Sequence, residues 1–175
     1  MRLADGVEFL LLFSRRVDAK IRRFKKVAIH HVIFNKSFKV SNKEGVNNLV
    51  TEADHAAEKA IIEVIHRHYP DHQVLGEESG ASTGSSSVKW IVDPIDGTVN
   101  FAHGIPLNCV SIAIEEDGVI TMAAVLNPHL NEYFFAEKGK GAFLNDQPIQ
   151  VSSEANAINA CLVTGFPYTY INMPN

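Results

Sequence analysis

Long apolar runs are missing from this chain. The longest near the N-terminus, Phe9 to Phe13, falls far short of the roughly 20 residues a membrane-spanning helix needs. It is also too short, and too closely flanked by Asp5 and Glu8, for a secretory signal. Cysteine is scarce. Cys109 and Cys161 are the only two, without the spacing of a zinc-type ligand set, and nothing in the sequence supports the one disulfide they could form. Both sit in apolar stretches, so they are expected to be buried free thiols in a reducing cytosol, which makes the cytoplasm the expected location. The eight histidines show no ligand spacing. His30-His31 and the His66/His68 pair read as surface or helix residues. Tryptophan occurs once, at Trp90, and no acid follows Glu154. No internal repeat is present.

Acids are scarce at one end and abundant over the rest. Residues 1–40 hold ten Lys/Arg against three Asp/Glu, a balance of +7. Residues 41–175 hold six against seventeen, a balance of -11. The acidic remainder suits a cation site. The basic segment carries Leu10, Phe13, Val17, Ile21, Phe24 and Ala28 on one stripe, with Arg15, Arg16, Lys20, Arg22, Arg23, Lys25 and Lys26 mostly on the other faces. That periodicity predicts an amphipathic helix over the first 35 residues. A solvated outer helix is the ordinary use of such a pattern, and an anionic polymer or membrane surface is the other.

Asn42 to Asn48 reads as a loop or a loose hairpin around Gly45. A second helix is predicted from Ala53, Ala57, Ile61, Val64, Ile65, His68 and Tyr69, with Pro70 as its stop. Thr51-x-x-Asp54 has the form of a capping box at its start. A strand follows around Gln73-Val74-Leu75, then Gly76-Glu77-Glu78. Ala81 to Ser87, rich in Gly, Ser and Thr, is expected to be a mobile loop. Leu107 to Ile114 is nearly all apolar, as in a strand buried on both faces. Asp117-Gly118 and Lys138-Gly139-Lys140-Gly141 mark hairpin turns. The order of helices followed by a run of strands predicts an α+β fold with helices layered on a large, mostly antiparallel sheet. At 175 residues, one domain is expected.

The most informative stretch is Asp93-Pro94-Ile95-Asp96-Gly97-Thr98. It follows Val88-Lys89-Trp90-Ile91-Val92, and the poor strand propensity of Asp and Gly predicts that the strand ends where the acids begin. Two acids with no Lys or Arg in the next six residues repel each other unless a cation joins them. Hard divalent ions such as Mg²⁺ take oxygen ligands from one or two carboxylates plus substrate phosphate. Gly97 admits a ligand close to the backbone and Thr98 adds a hydroxyl. The same residue types also make ordinary turns.

Three further blocks set the balance. Trp90-Ile91-Val92-Asp93-Pro94-Ile95-Asp96-Gly97-Thr98-Val99-Asn100-Phe101 resembles the signature of the inositol monophosphatase family, Mg²⁺-dependent and lithium-sensitive phosphatases. Leu49-Val50-Thr51-Glu52-Ala53-Asp54, Gly76-Glu77-Glu78-Ser79, and Gly139-Lys140-Gly141-Ala142-Phe143 with Asn145 resemble its other blocks, in the expected order. The resemblance runs from Lys36 to Pro167, the first part of a full-length member. It is weak before Lys36, where bulky residues replace the small ones usual in the family.

The resemblance implies the inositol monophosphatase/fructose-1,6-bisphosphatase-like fold, apparently truncated, and two or three Mg²⁺ ions. It implies a first Mg²⁺ on Glu77, Asp93 and the Ile95 carbonyl. A second would be shared by Asp93 and Asp96, and completed by a later aspartate that this chain lacks. Asp54, Thr98 and Glu77 would form the catalytic set, with Asp54 and Thr98 orienting and deprotonating the attacking water. The amides of Gly97 and Thr98 would grip the phosphate, with Ile95, Asp96 and Lys43 completing the substrate site. Two ions about 3.5–4 Å apart need a bridging carboxylate, and no Cys or Ser nucleophile is required. The expected function is hydrolysis of a small phosphate monoester, inositol monophosphate first, with a polyol or sugar phosphate as substrate and a homodimer as assembly. Fructose 1,6-bisphosphate or 3′-phosphoadenosine 5′-phosphate are alternative substrates. A truncated, inactive metal-binding module, or binding of nucleic acid or anionic lipid through the basic helix, are the rival functions.

Overall fold

The computed structural model describes residues 40–42 and 49–163. The expected N-terminal helix and residues 43–48 of the expected loop, Lys43 among them, lie outside the described residues, as does the side chain of Thr51. Strands β1 (Val40–Asn42) and β2 (Leu49–Thr51) pair antiparallel. They lead into helix α1 (Glu52–His68). Strands β3 (Gln73–Gly76), β4 (Gly80–Ala81) and β5 (Val88–Asp96) follow, then the short helix α2 (Thr98–Ala102). The rest is a succession of strands: β6 (Cys109–Glu116), β7 (Val119–Asn127), β8 (Glu132–Glu137), β9 (Gly141–Leu144) and β10 (Gln147–Ile149).

Helix α1 forms because residues 52–68 contain no Gly or Pro and carry an apolar stripe. Its ends suit the helix dipole, with Glu52 and Asp54 in the first turn and His66, Arg67 and His68 in the last. Ala53, Ala57, Ile61, Val64 and Ile65 are buried against the sheet. Among the described residues, eight strands make that sheet in the order β10-β9-β8-β7-β6-β5-β3-β4. Only β3 and β5 run parallel, and every other neighbouring pair is antiparallel. This is the layered α+β arrangement the sequence predicts. The hairpin at Asp117-Gly118 is as expected, with positive φ at both residues. Among the described residues, no helix is long and apolar enough to cross a membrane.

Four local expectations are corrected. Strand β6 is buried on one face only: Val110, Ile112 and Ile114 enter the core, while Ser111, Ala113 and Glu115 are half-exposed between them. Its apolar run reflects small residues on the open face, not a second buried layer. Strand β5 does not stop at Val92 but continues to Asp96. Asp93 pairs with Ser111 and Asp96 with Cys109, so the register shifts between them, and a β-bulge absorbs the extra residue and re-aims the side chains. The 81–87 loop is tethered to the 71–74 segment. Ser82 N–H donates to the Val74 carbonyl at 2.7 Å and its Oγ accepts from Val74 N–H at 3.0 Å. Ser86 N–H donates to Asp71 at 2.9 Å, and Gln73 Nε2 to the Ser86 carbonyl at 2.7 Å. Finally, the thiols are not both buried: Cys109 is half-buried and Cys161 exposed.

Candidate active site

Three segments meet at one end of β3 and β5, where α1 begins. The first is α1 itself. Asp54, fully buried, accepts a hydrogen bond from Thr98 Oγ1 at 3.0 Å. The same hydroxyl lies 3.1 Å from the Ile95 carbonyl. One proton serves two acceptors, so Thr98 is held between the helix and the bulge of β5. Gly97 makes the turn that brings it there. Its φ is +89°, and a Cβ would stand 2.9 Å from the Leu107 carbonyl. Both facts demand glycine.

The second segment is the end of β3. Glu77 N–H donates to the Val92 carbonyl at 3.1 Å, which sets Glu77 beside Asp93. The third is the bulge of β5. Asp93 Oδ1 is buried with no hydrogen-bond partner. Burial first, then the charge and hydrogen bond of Glu77, then the charge of Asp96, push the Asp93 carboxyl up to about 7. Two carboxylates cannot share a hydrogen bond without a proton between them. Without a cation, a proton does the neutralising.

Asp96 is exposed. Cys109 Sγ lies 3.5 Å from its Oδ2, and burial, followed by Asp96 and Asp93, pushes this thiol up to about 12. Among the described residues, no three His, Cys, Asp or Glu side chains converge closely enough to hold a metal as they stand. Asp54, Glu77, Asp93, Ile95, Asp96, Gly97 and Thr98 are nevertheless gathered at one strand end. A cleft of about 370 Å³ opens beside Glu77 and Asp93, on the sheet face away from α1, with Leu75, Ile91, Ser111 and Ala113 in its lining.

Sequence reasoning missed Glu58. It is only 2% exposed, and its two oxygens accept the N–H groups of Glu78 and Ser79, both at 2.8 Å. The available signal was a single acid within the apolar stripe of α1, between Ala57 and Ile61. Burying a carboxylate costs several kcal/mol unless it is hydrogen-bonded, so an acid there implies partners.

A cation fits this chemistry. The donors are oxygens, the acids repel, and a buried carboxylate oxygen lacks a partner. That is the ligand type a hard divalent ion takes. A profile of the inositol monophosphatase family matches residues 16–173. The chain belongs to that family. An inositol-1-monophosphatase from Synechocystis sp. is 44% identical over 137 residues, 78% of this chain and 48% of that one. The Nus factor SuhB of Pasteurella multocida is 44% identical over 126 residues, 71% and 47% of the two chains. Among solved structures, the extragenic suppressor protein suhB from Bartonella henselae superposes with a TM-score of 0.64 at 43% identity, covering 67% of this chain and 46% of that one. The Thermotoga maritima IMPase gives 0.63 at 34%, covering 85% and 50%. The chain therefore spans about half the length of the curated family members it matches.

Proposed function

We propose that this chain carries the metal and water-activating half of a Mg²⁺-dependent phosphatase that hydrolyses a small phosphate monoester, with inositol monophosphate the leading substrate. The observation that carries this reading is the Asp93 carboxyl. It is pressed against Glu77 and within the field of Asp96, with one oxygen buried and unpaired. Relatives at 44% identity bear both the inositol-1-monophosphatase and the Nus factor names, so identity alone does not choose between them. The acid constellation favours hydrolysis.

Glu77, Asp93, Asp96 and the Ile95 carbonyl are the residues to hold Mg²⁺. Bound there, the ion would neutralise charge on the phosphoryl oxygens and favour a hydroxide nucleophile near neutral pH. The protein's own part is orientation and proton movement. Thr98 donates to Asp54, which leaves its lone pairs to accept from a water poised over the bulge. The water's proton passes to Thr98 as the hydroxyl proton moves toward Asp54. Gly97, with no side chain, lets the turn amides of Gly97 and Thr98 approach the phosphate, and Lys43 adds a cation to the substrate site. A homodimer in the cytoplasm is the assembly and location we infer.

The test is phosphate release from inositol 1-phosphate, fructose 1,6-bisphosphate and 3′-phosphoadenosine 5′-phosphate, with Mg²⁺ and with chelator. Release from inositol 1-phosphate that needs Mg²⁺ and disappears in Asp93→Asn is the expected result. Release that ignores both changes refutes the reading.

A further inference from the structure

Resting on that reading, we propose that Glu58 is a positioning residue for the metal site: its carboxylate clamps the turn that carries Glu77 and so holds Glu77 against Asp93. Four observations lead there. First, Glu58 is buried within the apolar face of α1, where an ionised group survives only if its oxygens are satisfied. Second, both oxygens are used, one on Glu78 N–H and one on Ser79 N–H, the two residues after Glu77. Third, the sheet holds the near side of this turn through β5 but its far side only weakly. Strand β4 contributes only two register pairs, Leu75 with Ala81 and Gly76 with Gly80. Fourth, Gly76 is shaped around the clamp: a Cβ there would lie 2.5 Å from Glu58 Cδ and Oε2, so a side chain would push the carboxylate off its amides.

Asp54 sits one helical turn before Glu58 on the same helix. One rigid element therefore grips both strand ends, Asp54 through Thr98 and Glu58 through the 78–79 amides. The position of Glu77 against Asp93 is therefore set from two sides, by its own N–H on the Val92 carbonyl and by α1 through the two amides that follow.

The test is Mn²⁺ titration of the folded chain, wild type against Glu58→Gln. Gln keeps the shape but offers one acceptor in place of two. Groups that orient metal ligands typically contribute 10- to 100-fold in affinity, so the Mn²⁺ Kd is expected to rise by roughly that factor. Ile61→Val, on the same helix face, is expected to lower stability while leaving the Kd within about twofold, since it removes packing without touching the 77–79 turn. A folded Glu58→Gln protein with wild-type Kd overturns the proposal. If the variant does not fold, amide exchange in the metal-free wild type decides. Protected Glu78 and Ser79 amides support the clamp, and exchange at unstructured rates overturns it. Should the wild type bind Mn²⁺ no better than Asp93→Asn, the metal reading itself falls and the positioning role with it. That failure is visible before any Glu58 variant is made.

Discussion

Replacing Asp93 by Asn is expected to stabilise the metal-free protein while destroying its response to metal. The Asp93 carboxyl moves from 3.8 to about 7 on folding. A rise of roughly three units corresponds to about 4 kcal/mol of penalty on the charged form. Asp93 is only half-buried, and solvent screening reduces the realisable part to about 1–2 kcal/mol. The sign follows from linkage. The folded pKa is raised, so the stability this group allows is fully present below pH 3.8, and it is lost as pH rises through about 7. Asn cannot ionise, and its amide donates where the shared proton stood. Urea denaturation in chelator at several pH values reads this directly. Asp93→Asn is expected to match wild type near pH 4 and to exceed it by about 1–2 kcal/mol at pH 8. Mg²⁺ or Mn²⁺ at 100 times its Kd is expected to add about 2.7 kcal/mol to the wild type and nothing to the variant. A variant less stable than wild type at pH 8 in chelator, or one that still gains from the ion, refutes the account of this site as a cation site held apart by its own charge.

Thr98→Val removes the hydroxyl that Asp54 holds, and turnover on inositol 1-phosphate is expected to fall by about 10²-fold or more while Mn²⁺ affinity, read by titration, stays unchanged. His72 accepts from Trp90 Nε1 at 3.0 Å through Nδ1 and stacks on Tyr69. Burial lowers its pKa against the opposing pull of Asp71 and Glu116. Its contribution is therefore present above 6.5 and lost as pH falls through the lowered value. Fluorescence-monitored denaturation in an Asp93→Asn background should show stability dropping on acidification, with a smaller drop in His72→Gln. Gly97→Ala combines positive φ with a Cβ too close to Leu107 and is expected to cost about 1–3 kcal/mol in denaturation. A thiol reagent at pH 8 should label exposed Cys161 quickly and Cys109, pushed up to about 12, slowly. Two equally fast thiols would contradict the placement of Cys109.

Much of this site was legible because its chemistry is local in sequence. Asp93, Asp96, Gly97 and Thr98 lie within six residues, and a strand followed by a glycine turn constrains where such neighbours go. The hairpin turns were equally legible, since Asp117-Gly118 supplies the positive φ the turn requires. What escaped depends on register or on distant partners. The run from Asp93 to Asp96 reads as the end of a strand, because strand propensity says nothing about a bulge that lets pairing resume at Cys109. The 81–87 loop reads as free because its composition is that of a linker. Its hydrogen bonds go to residues 71–74, a partner no local pattern reveals. The run from Leu107 to Ile114 reads as buried on both faces because Ala113 counts as apolar wherever it points.

Glu58 shows the limit most clearly. An acid in a helix is unremarkable in composition, and only its phase relative to Ala57, Ile61 and Ile65 places it inward. Once inward, it must find donors, and the amides of Glu78 and Ser79 are 20 and 21 residues away in sequence, beside the acid that faces Asp93. The site is thus held from behind by one buried carboxylate with a donor on each oxygen, and open in front to another with one oxygen left unpaired. Glu58 has two N–H donors and Asp93 Oδ1 has none. In one small region the fold pairs both oxygens of the acid that shapes the turn and leaves one oxygen unpaired on the acid that faces the cleft. That asymmetry is the ground on which we propose a cation site here and not a chance crowding of carboxylates.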